Sequence, residues 1–352
     1  MADWLSTMQQ TFEYYIVDPA TWKDSSILRN VKKCSITRDI EVETLGSATI
    51  DITKSVGECY IRSYLITIQN GVKERHPLGT FLVQTPSSTF DGKIRSVTMD
   101  AYTPLLELKE NQPPLGYAAL KGENIMDLAY RIVRERARAP VVKAECEETL
   151  YYPFVANTDD TWMTFLKDLI ANAKYRFDLD EMGHILFAPK QDMASLQPVW
   201  TYNDDNSSIL YPEITMNHDI YGIPNVVEVI YSKGTEYYHA RIVNDDENSP
   251  ISTINRGREI VYRDSNPSIN GNPTQLQINE YAEQLLRDLS TVEYTVSYTH
   301  GYCPVRLGDC VRLNYSRAGI NNVKAKVISQ IIKCETSCSV KEKAVFTSKL
   351  WR

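Results

Sequence analysis

The sequence predicts an α+β fold class that is mainly β, and three observations support this prediction. Residues 78–108 form two strand-like segments with alternating side chains, joined at Phe90-Asp91-Gly92. A second strand-patterned stretch follows near the C-terminus, from residue 292 to 347. Between them, apolar residues recur at helical spacing in 125–133 and 162–170. Two β-modules with an α+β unit between them account for this order of patterns.

The first β-module is predicted from Cys34 to Tyr102. Apolar and polar residues alternate in 48–53 and again in 96–101, which is the period of a sheet with one buried face. Asn70-Gly71 between two of these strands is typical of a two-residue hairpin turn. About five strands with short turns predict a small barrel or sandwich. Residues 1–24 are rich in aromatic side chains but lack periodicity, so we expect them to dock on this chain or on another subunit.

An α+β unit is predicted after a connector marked by Pro and Gly at 111–122. Its first helix contains the apolar stripe of 125–133. Its second helix is predicted to follow the N-terminal signal Thr158-Asp159-Asp160. A hairpin then joins the alternating residues 175–179 to 185–187. Two helices and a hairpin make a compact unit between the first β-module and the rest of the chain.

A further strand and a third helix are predicted before the last module. Residues 225–231 read as the strand, and the polar run 244–250 reads as a loop. The helix is predicted from Ile278 to Leu289, after the helix-start signal Pro273-Thr274. We interpret it as a connecting helix.

The last β-module has regular alternation. Residues 292–299 place apolar and polar side chains on opposite faces of one strand. Leu307-Gly308-Asp309 turns into the next strand, and two more strands are predicted between 323 and 347. Two β-modules without catalytic motifs of their own favour a scaffold over an enzyme.

The net charge of −7 is unevenly distributed along the chain. Residues 141–250 carry 7 basic and 19 acidic residues, whereas 292–352 carry 10 basic and 4 acidic residues. Opposite charges on different domains favour assembly between subunits, and plain solvated faces are the alternative. No run of about 18 apolar residues is present, so we expect no membrane span. The start MADWLSTMQQ lacks the features of a signal peptide, so we expect synthesis in the cytosol.

Cysteine usage predicts reduced and mostly buried thiols. The seven cysteines are an odd number and are scattered, at positions 34, 59, 146, 303, 310, 334 and 338. Four thiolates for zinc are the alternative, but their spacing differs from that of paired CxxC knuckles. These four are Cys303, Cys310, Cys334 and Cys338.

No motif for catalysis or cofactor binding is found in the sequence. The five histidines are dispersed, and neither GxSxG nor GxxxxGK[ST] occurs. Residues 178–183 imitate the start of a calcium loop, but Met182 and Pro189 replace ligands. Two acidic clusters, Glu145/Glu147/Glu148 and Asp204/Asp205, could pair for glycoside hydrolysis, although charged loop residues are the commoner outcome. We predict a non-enzymatic protein with no catalytic, metal-binding or cofactor-binding residues and no cofactor.

The order of the modules and several short motifs resemble a known family. The motifs are LGTF at 78–81, YTPLL at 102–106, NSPIST at 248–253, RGR at 256–258 and LGD at 307–309. Together they resemble the baseplate or tail-tip hub proteins of tailed bacteriophages and related contractile injection machines. The resemblance covers about residues 25–350.

The resemblance implies a homotrimer. Each subunit of such hubs supplies two tube-like β-barrel domains, so three chains form a pseudo-sixfold ring between a sixfold tail tube and a threefold spike. The implied divisions are a docking extension at 1–24, a first tube-like domain at 25–110 completed by about 206–243, an inserted α+β domain at 111–205, and 244–352 with the connecting helix and the second tube-like domain. The strand at 225–231 would complete the first barrel.

The same resemblance implies the partners and the location. Partners are a tail tube or distal tail protein, a spike or tip protein and a tape-measure protein, within the tail of a virion assembled in the host cytoplasm. DNA would pass without sequence recognition during genome ejection. Because phosphate contacts would retard it, we expect a neutral to acidic bore, with the basic residues of the last module facing outward. The alternatives are a cell-wall-degrading or carbohydrate-binding tail protein, or the hub of a DNA-free contractile bacteriocin.

Overall fold

A computed structural model shows a mainly β chain with five α-helices among its described residues, which confirms the predicted class. The structure describes residues 2–54, 56–90, 92–93, 95–191, 193–206, 208–233, 236–265, 267–269 and 273–351. Contacts divide the chain into two compact units, Met1–Ile214 with Tyr298–Ala344, and Thr215–Ser297 with Val345–Arg352. No helix in the described ranges is long and apolar enough to cross a membrane.

The first β-module begins near the start of the chain rather than at residue 25. Strand β1 pairs with β5 from Gln9–Ile68 to Val17–Tyr60, so the aromatic-rich segment docks within its own chain. The expectation that residues 1–24 dock on this chain is confirmed, but they do so as part of the first sheet, so its strands begin before the predicted division at residue 25. The seven strands are β1 Gln9–Asp18, β2 Lys23–Ile27, β3 Val31–Asp39, β4 Gly46–Ile52, β5 Tyr60–Gln69, β6 Val72–Phe90 and β7 Arg95–Tyr102.

The alternation predicted for these strands defines their core. Ile50 of β4 and Met99 of β7 are fully buried and lie opposite each other across the two strands. Burial of such side chains contributes about 1.5–3 kcal/mol each. Asn70 and Gly71 have positive φ angles of 50° and 77° and close the predicted hairpin between β5 and β6. Asp91 of the predicted Phe90-Asp91-Gly92 turn lies outside the described residues.

The predicted α+β unit follows β7. Both predicted helices and the predicted hairpin are confirmed, and their apolar faces share one core. The second helix starts slightly later than its sequence signal, because the side chain of Thr161 rather than Thr158 caps it. The elements are α1 Leu106–Lys109, β8 Ala118–Ala119, α2 Ile125–Arg136, β9 Phe154–Val155, α3 Trp162–Asn172, β10 Tyr175–Leu179 and β11 Ile185–Pro189.

The second unit has a sheet of its own. After β12 (Trp200–Asn203) and β13 (Leu210–His218), the chain forms β14 Val226–Lys233, β15 Glu236–Val243, α4 Thr253–Arg256, β16 Val261–Asp264 and α5 Gln275–Leu289. Strand β14 pairs with β15 and β16 and packs its buried face on α5. The prediction that 225–231 completes the first barrel is therefore wrong. The predicted connecting helix covers this small sheet.

The last module contains the predicted strands. They are β17 Thr291–Gly301, β18 Cys310–Tyr315, β19 Ile320–Lys333 and β20 Ser339–Lys349, with a short 3-10 helix at Ser316–Ala318. Strand β19 pairs with β18 over residues 320–326 and with β3 of the first module over residues 329–333, while β20 is its other neighbour. One 13-stranded sheet therefore runs through both modules in the described part of the chain.

The two modules repeat one strand order. In the first, β3, β4, β7, β6, β5 and β1 lie side by side; in the second, β13, β17, β20, β19, β18 and β12 do so. In each, three consecutive strands form a meander whose last strand returns to the strand before the meander. The outermost pairs differ, since β1 is antiparallel to β5 whereas β12 is parallel to β18. The shared order identifies an internal repeat that the sequence patterns alone suggested only loosely.

Candidate functional site

The hairpin of the inserted α+β unit ends in a turn, residues 180–184, that reaches both β-modules. The turn is closed by Asp180, which accepts a hydrogen bond from the His184 amide at 2.8 Å and lies 2.6 Å from its Nδ1. The carboxylate that imitates a calcium ligand in the sequence is therefore engaged with a histidine. The turn is therefore closed by a contact between a carboxylate and a histidine, which differs from the arrangement of an ion-binding loop.

The first β-module holds the turn by one backbone carbonyl. The Met182 oxygen accepts hydrogen bonds from Trp22 Nε1 at 2.8 Å, Arg62 Nη2 at 2.9 Å and Thr80 Oγ1 at 2.9 Å. The Arg62 side chain is only 1% exposed and also forms an ion pair with Asp24 at 2.9 Å. Hydrogen bonds from a buried charged donor are worth about 1.5–3 kcal/mol each, so Arg62 is the main anchor of the turn.

The second β-module holds the same turn from the other side. Arg306 of this module forms an ion pair with Glu181 at 2.9 Å, and Arg38 of the first module lies 3.7 Å from the same carboxylate. Arg306 also donates to the Leu179 carbonyl at 2.7 Å. We call residues 179–184 with Trp22, Arg38, Arg62, Thr80 and Arg306 the hairpin junction. It ties the inserted unit to both modules at one point.

The hairpin junction encloses little space. Its cavity has a volume of about 50 Å³ and is lined by residues of the turn, β6 and the LGD segment. Small-molecule sites commonly measure about 300–1,000 Å³, so this cavity suits a few water molecules rather than an organic substrate. The hairpin junction is therefore a packed contact between the inserted unit and the two modules rather than a ligand pocket.

A second group of polar side chains is buried inside the last module, and we call it the polar cluster. Glu342 has no exposed area and accepts hydrogen bonds from Tyr298 OH at 2.5 Å and Gln330 Nε2 at 2.7 Å. The Glu342 Oε2 atom also lies 3.5 Å from His300 Nε2. The full cluster comprises Tyr202, Tyr298, His300, Cys303, Gln330 and Glu342. Gln330 also accepts from Arg38 at 3.2 Å, which links the cluster to the hairpin junction.

The polar cluster contains a buried charge pair. Burial by itself lowers the pKa of His300, but its interactions with Cys303 and Glu342 outweigh this and raise that pKa to about 10. These interactions therefore favour the protonated form of the imidazole, whose Nε2 lies 3.5 Å from Glu342. A Cys–His–Glu set resembles the parts of a nucleophilic site, yet His300 and Glu342 have no exposed area and Nδ1 lies 2.7 Å from the Gly301 oxygen. A substrate cannot reach this thiol without opening the core.

The two acidic clusters considered from the sequence have different surroundings. Glu145, Glu147 and Glu148 are exposed in the segment before β9. Asp204 instead forms a two-point ion pair with Arg317. Hydrogen bonds from this guanidinium lower the pKa of Asp204, whereas a general acid needs a raised one.

The seven cysteines are free thiols. Cys334 and Cys34 are hydrogen-bonded partners in a shared core with Cys338, whereas Cys303 belongs to the polar cluster. The four cysteines of the zinc alternative are thus divided between different surroundings. No group of three or more His, Cys, Asp or Glu residues in the described ranges could hold a metal ion.

Several large apolar side chains are exposed on the inserted unit. Leu115 is 87% exposed, Tyr151 83% and Tyr152 76%. They lie on the two segments joined by β8 and β9, where Ala118 pairs with Val155. Exposed clusters of this kind commonly mark interaction surfaces.

From the sequence, Cys303 and residues 178–183 were considered only as metal-binding alternatives, and the buried charges of the hairpin junction and the polar cluster were not singled out. A signal for part of them was present: Glu342 interrupts the apolar face formed by Val340 and Ala344, and Arg62 interrupts an apolar strand. A charge at an inward position requires a buried partner. The Met182 carbonyl left no such signal, because any residue supplies that atom.

Comparisons with known proteins concern the fold. No protein-family profile and no curated protein matches the sequence. The tail protein from Neisseria meningitidis MC58 has 12% identity and a TM-score of 0.61, with 96% of this chain and 97% of that chain covered. The 43 kDa tail protein of prophage MuSo2 from Shewanella oneidensis has 11% identity and a TM-score of 0.60, with 95% and 98% covered. A chain of the Francisella PdpA–VgrG complex has 10% identity and a TM-score of 0.54, with 97% of this chain and 58% of that chain covered.

Identities near 10% establish a shared fold and nothing finer. At that level, the resemblance to tail and baseplate proteins predicted from the sequence is confirmed. The match extends over nearly the whole of both tail proteins, so it includes the inserted unit as well as the two β-modules.

Proposed function

We propose that this protein is a structural subunit of a phage-type tail, acting as the hub of a baseplate or tail tip. Three copies form a ring of six β-modules that joins the tail tube to a spike or tip protein. A tape-measure segment and then the genome pass through its centre. In the alternative of a DNA-free bacteriocin, the subunit has the same role and only the cargo differs.

The internal repeat is the observation that carries this proposal. A pseudo-sixfold ring made by three chains requires two wall segments of the same topology in each chain, and the two modules have one strand order. The fold shared with two tail proteins over at least 95% of this chain supports the same role. A monomeric enzyme has no need for such a repeat.

The hairpin junction supports a structural role in which the subunit keeps a fixed shape. A wall segment in a tail must keep its orientation while neighbouring rings are assembled on it. The turn at 179–184 is held by Arg62 from one module and by Arg306 from the other, so the inserted unit cannot swing on a single hinge. In this proposal the inserted unit contacts the surrounding baseplate, and its exposed Leu115 supplies apolar contact area.

The mass of the assembly in solution tests the proposal. Light scattering at micromolar concentration should give three times the subunit mass of 40.2 kDa. Negative-stain images of the same sample should show rings with a central opening and six similar wall segments. A stable monomer at all concentrations would argue against a hub.

A geometric check is independent of solution conditions. The strand set β3, β4, β7, β6 and β5 should superpose on β13, β17, β20, β19 and β18 in an experimental trimer by a rotation of about 60° around the ring axis. A rotation far from 60° would contradict the proposed pseudo-sixfold ring. The bore of that trimer should be neutral to acidic, and a ring of Lys and Arg side chains along it would contradict free passage of DNA.

A further inference from the structure

One face of the last module carries positive charges without partners. Strands β18 and β19 place Arg312 directly opposite Lys324, and Cys310 opposite Lys326, in their antiparallel register. Residues two apart on a strand share a face, so Arg312, Lys324 and Lys326 lie together. Like charges directly opposite each other across two strands are destabilising. The face is therefore built at a cost that the isolated subunit does not recover.

The inserted unit adds a fourth charge to this face. The Arg176 guanidinium lies against Gly308, and its positive charge, after burial, lowers the pKa of Lys326. We call Arg176, Arg312, Lys324 and Lys326 the basic stripe. Arg176 Nη1 and Arg312 Nε are buried atoms with no hydrogen-bond partner, and Lys324 donates only to the Leu196 carbonyl.

Carboxylates near the basic stripe are engaged elsewhere. Glu43 lines a cavity of about 260 Å³ together with Arg176, but its ion pair is with Lys109 at 2.9 Å. No carboxylate in the described ranges forms an ion pair with any of the four cations. The stripe thus has the chemistry of a surface that awaits an anionic group.

An exposed acidic segment of the same chain carries negative charges that form no ion pair in the described ranges. Residues 145–148 are held rigidly by their backbone: Asn124 Nδ2 donates to the Cys146 oxygen at 2.6 Å, and the Ile125 amide to the Glu148 oxygen at 3.1 Å. The side chains of Glu147 and Glu148 are exposed, and no ion pair involves them in the described part of the chain. We call residues 145–148 the acidic strap.

The strap and the stripe cannot meet within one copy. Tyr175 OH donates to the Glu145 carbonyl at 3.2 Å, so the strap lies on the Tyr175 side of β10. Arg176 is the next residue of that strand, and successive side chains of a strand point to opposite faces. The two charged surfaces are therefore on opposite sides of the hairpin.

We propose that, in the ring, the acidic strap of one copy binds the basic stripe of the next. This rests on the proposed hub function, and it names the surface that holds neighbouring subunits together. Two different, complementary surfaces on one chain form a heterologous contact, and such contacts close into a ring when the rotation permits. The exposed Tyr151 and Tyr152 beside the strap add apolar area to the contact.

Charge reversal and its rescue test the contact in the full-length chain. The stripe variant is Arg312→Glu with Lys324→Glu, and the strap variant is Glu147→Lys with Glu148→Lys. Each should raise the concentration at which half of the protein is trimeric by at least about tenfold, measured by sedimentation velocity. Combining all four changes should restore assembly to within about threefold of the wild type, because the charges are exchanged rather than lost.

A matched control carries the same change of charge away from the stripe. Lys333→Glu with Lys341→Glu reverses two exposed lysines of β19 and β20 and should leave assembly unchanged. Circular dichroism and the thermal midpoint establish that each variant folds. Should the stripe variant fail to fold, the strap variant alone carries the same expectation, since its side chains are solvent-exposed.

The outcomes separate this contact from the hub function. A wild-type trimer that neither reversal weakens would overturn the contact and leave the hub standing. A monomeric wild type would contradict both the hub function and the proposed contact. Loss of binding to a short DNA duplex in the stripe variant, with assembly intact, would assign the stripe to a polyanion and overturn the proposal.

Discussion

The two β-modules have one strand order but different interiors. The core of the first is mainly apolar and includes the fully buried Ile36, Ile50 and Met99, while its buried Arg62 lies at the hairpin junction. The second contains the polar cluster, with the fully buried His300 and Glu342 at its centre. Glu342 occupies the returning strand of its module, as Met99 does in the other.

This difference indicates that the strand order does not depend on which side chains fill the core. Alternation with a period of two and tight connections are common to both modules and suffice for the topology. The interior chemistry decides something else. A buried polar network accepts only one arrangement of donors and acceptors, and through Gln330 and Arg38 it extends to the hairpin junction. The core of the second module is therefore linked to the inserted unit through hydrogen bonds, whereas the first module shares apolar core residues such as Trp22 and Tyr60 with that unit.

Removal of Glu342 should produce the largest effect of any single change. In Glu342→Ala, His300, Tyr298 and Gln330 lose their common acceptor inside the core. Leaving one member of a buried ion pair without its partner costs about 3–5 kcal/mol. Urea denaturation should show this loss in the free energy of unfolding.

The matched change in the first module is Met99→Ala, which removes apolar volume and leaves no unpaired charge. It should cost about 2–5 kcal/mol, with no dependence on pH between about 6 and 9. The Glu342→Ala loss should depend strongly on pH, because the unpaired group is His300. Equal pH profiles for the two variants would mean that the polar cluster behaves as an ordinary apolar core.

Stability of the second module should fall as the pH rises. The folded pKa of His300 is raised to about 10 from an ordinary value of 6.5, so its contribution is complete below about 6.5 and is lost as the pH rises through about 10. Between pH 6.5 and 9 this amounts to about 3 kcal/mol. Denaturation of the wild type and of His300→Gln over that range should show a slope in the former and a smaller slope in the latter.

Most of the fold could be predicted from the sequence, because its strands and helices are indicated by local patterns of apolar residues and turn residues. The Asn70-Gly71 hairpin, the helix stripe at 125–133 and the strands of the last module are all present. The two errors concern long-range pairing. Nothing local in residues 9–18 indicates β5 as their partner, and nothing local in 226–233 distinguishes the first sheet from a sheet covered by α5.

The sites were less predictable for the same reason. Arg62 and Glu342 are visible as charges at inward positions, but their partners come from segments far away in the sequence. Met182 was weighed only as a missing calcium ligand, whereas its carbonyl is the atom that counts. A backbone acceptor has no sequence signature, because every residue has a carbonyl group. The hairpin junction can therefore be recognised only from the structure.

Replacement of Arg62 should loosen the inserted unit without unfolding the second module. Arg62→Met keeps much of the volume but removes the hydrogen bonds to Thr80 and the Met182 carbonyl and the ion pair with Asp24. We expect a loss of about 2–3 kcal/mol. Limited proteolysis should cut the turn at 180–184 faster, because the Met182 carbonyl keeps only the hydrogen bonds from Trp22 and Thr80.

The control for this change is Arg75→Ala. Arg75 pairs with the same Asp24 at 2.8 Å but is 39% exposed and does not reach the turn. Its loss should cost under about 1 kcal/mol and leave the cleavage rate unchanged. Faster cleavage in both variants would show that Asp24, rather than the Met182 carbonyl, governs the turn.

The connections of the two modules should respond alike, since they depend on backbone conformation and not on interior chemistry. The β5–β6 hairpin contains Gly71 with φ of 77°, and the β18–β19 connection contains Gly319 with φ of 74°. A Cβ at either position meets no atom within 4 Å, so Gly71→Ala and Gly319→Ala test conformation alone. Each should cost about 1 kcal/mol, the usual penalty of the left-handed region for a residue with a Cβ. The two losses in the free energy of unfolding should agree within about 0.5 kcal/mol and should be independent of pH; a pH-dependent loss at Gly319 alone would mean that the polar cluster reaches the turn of its own module.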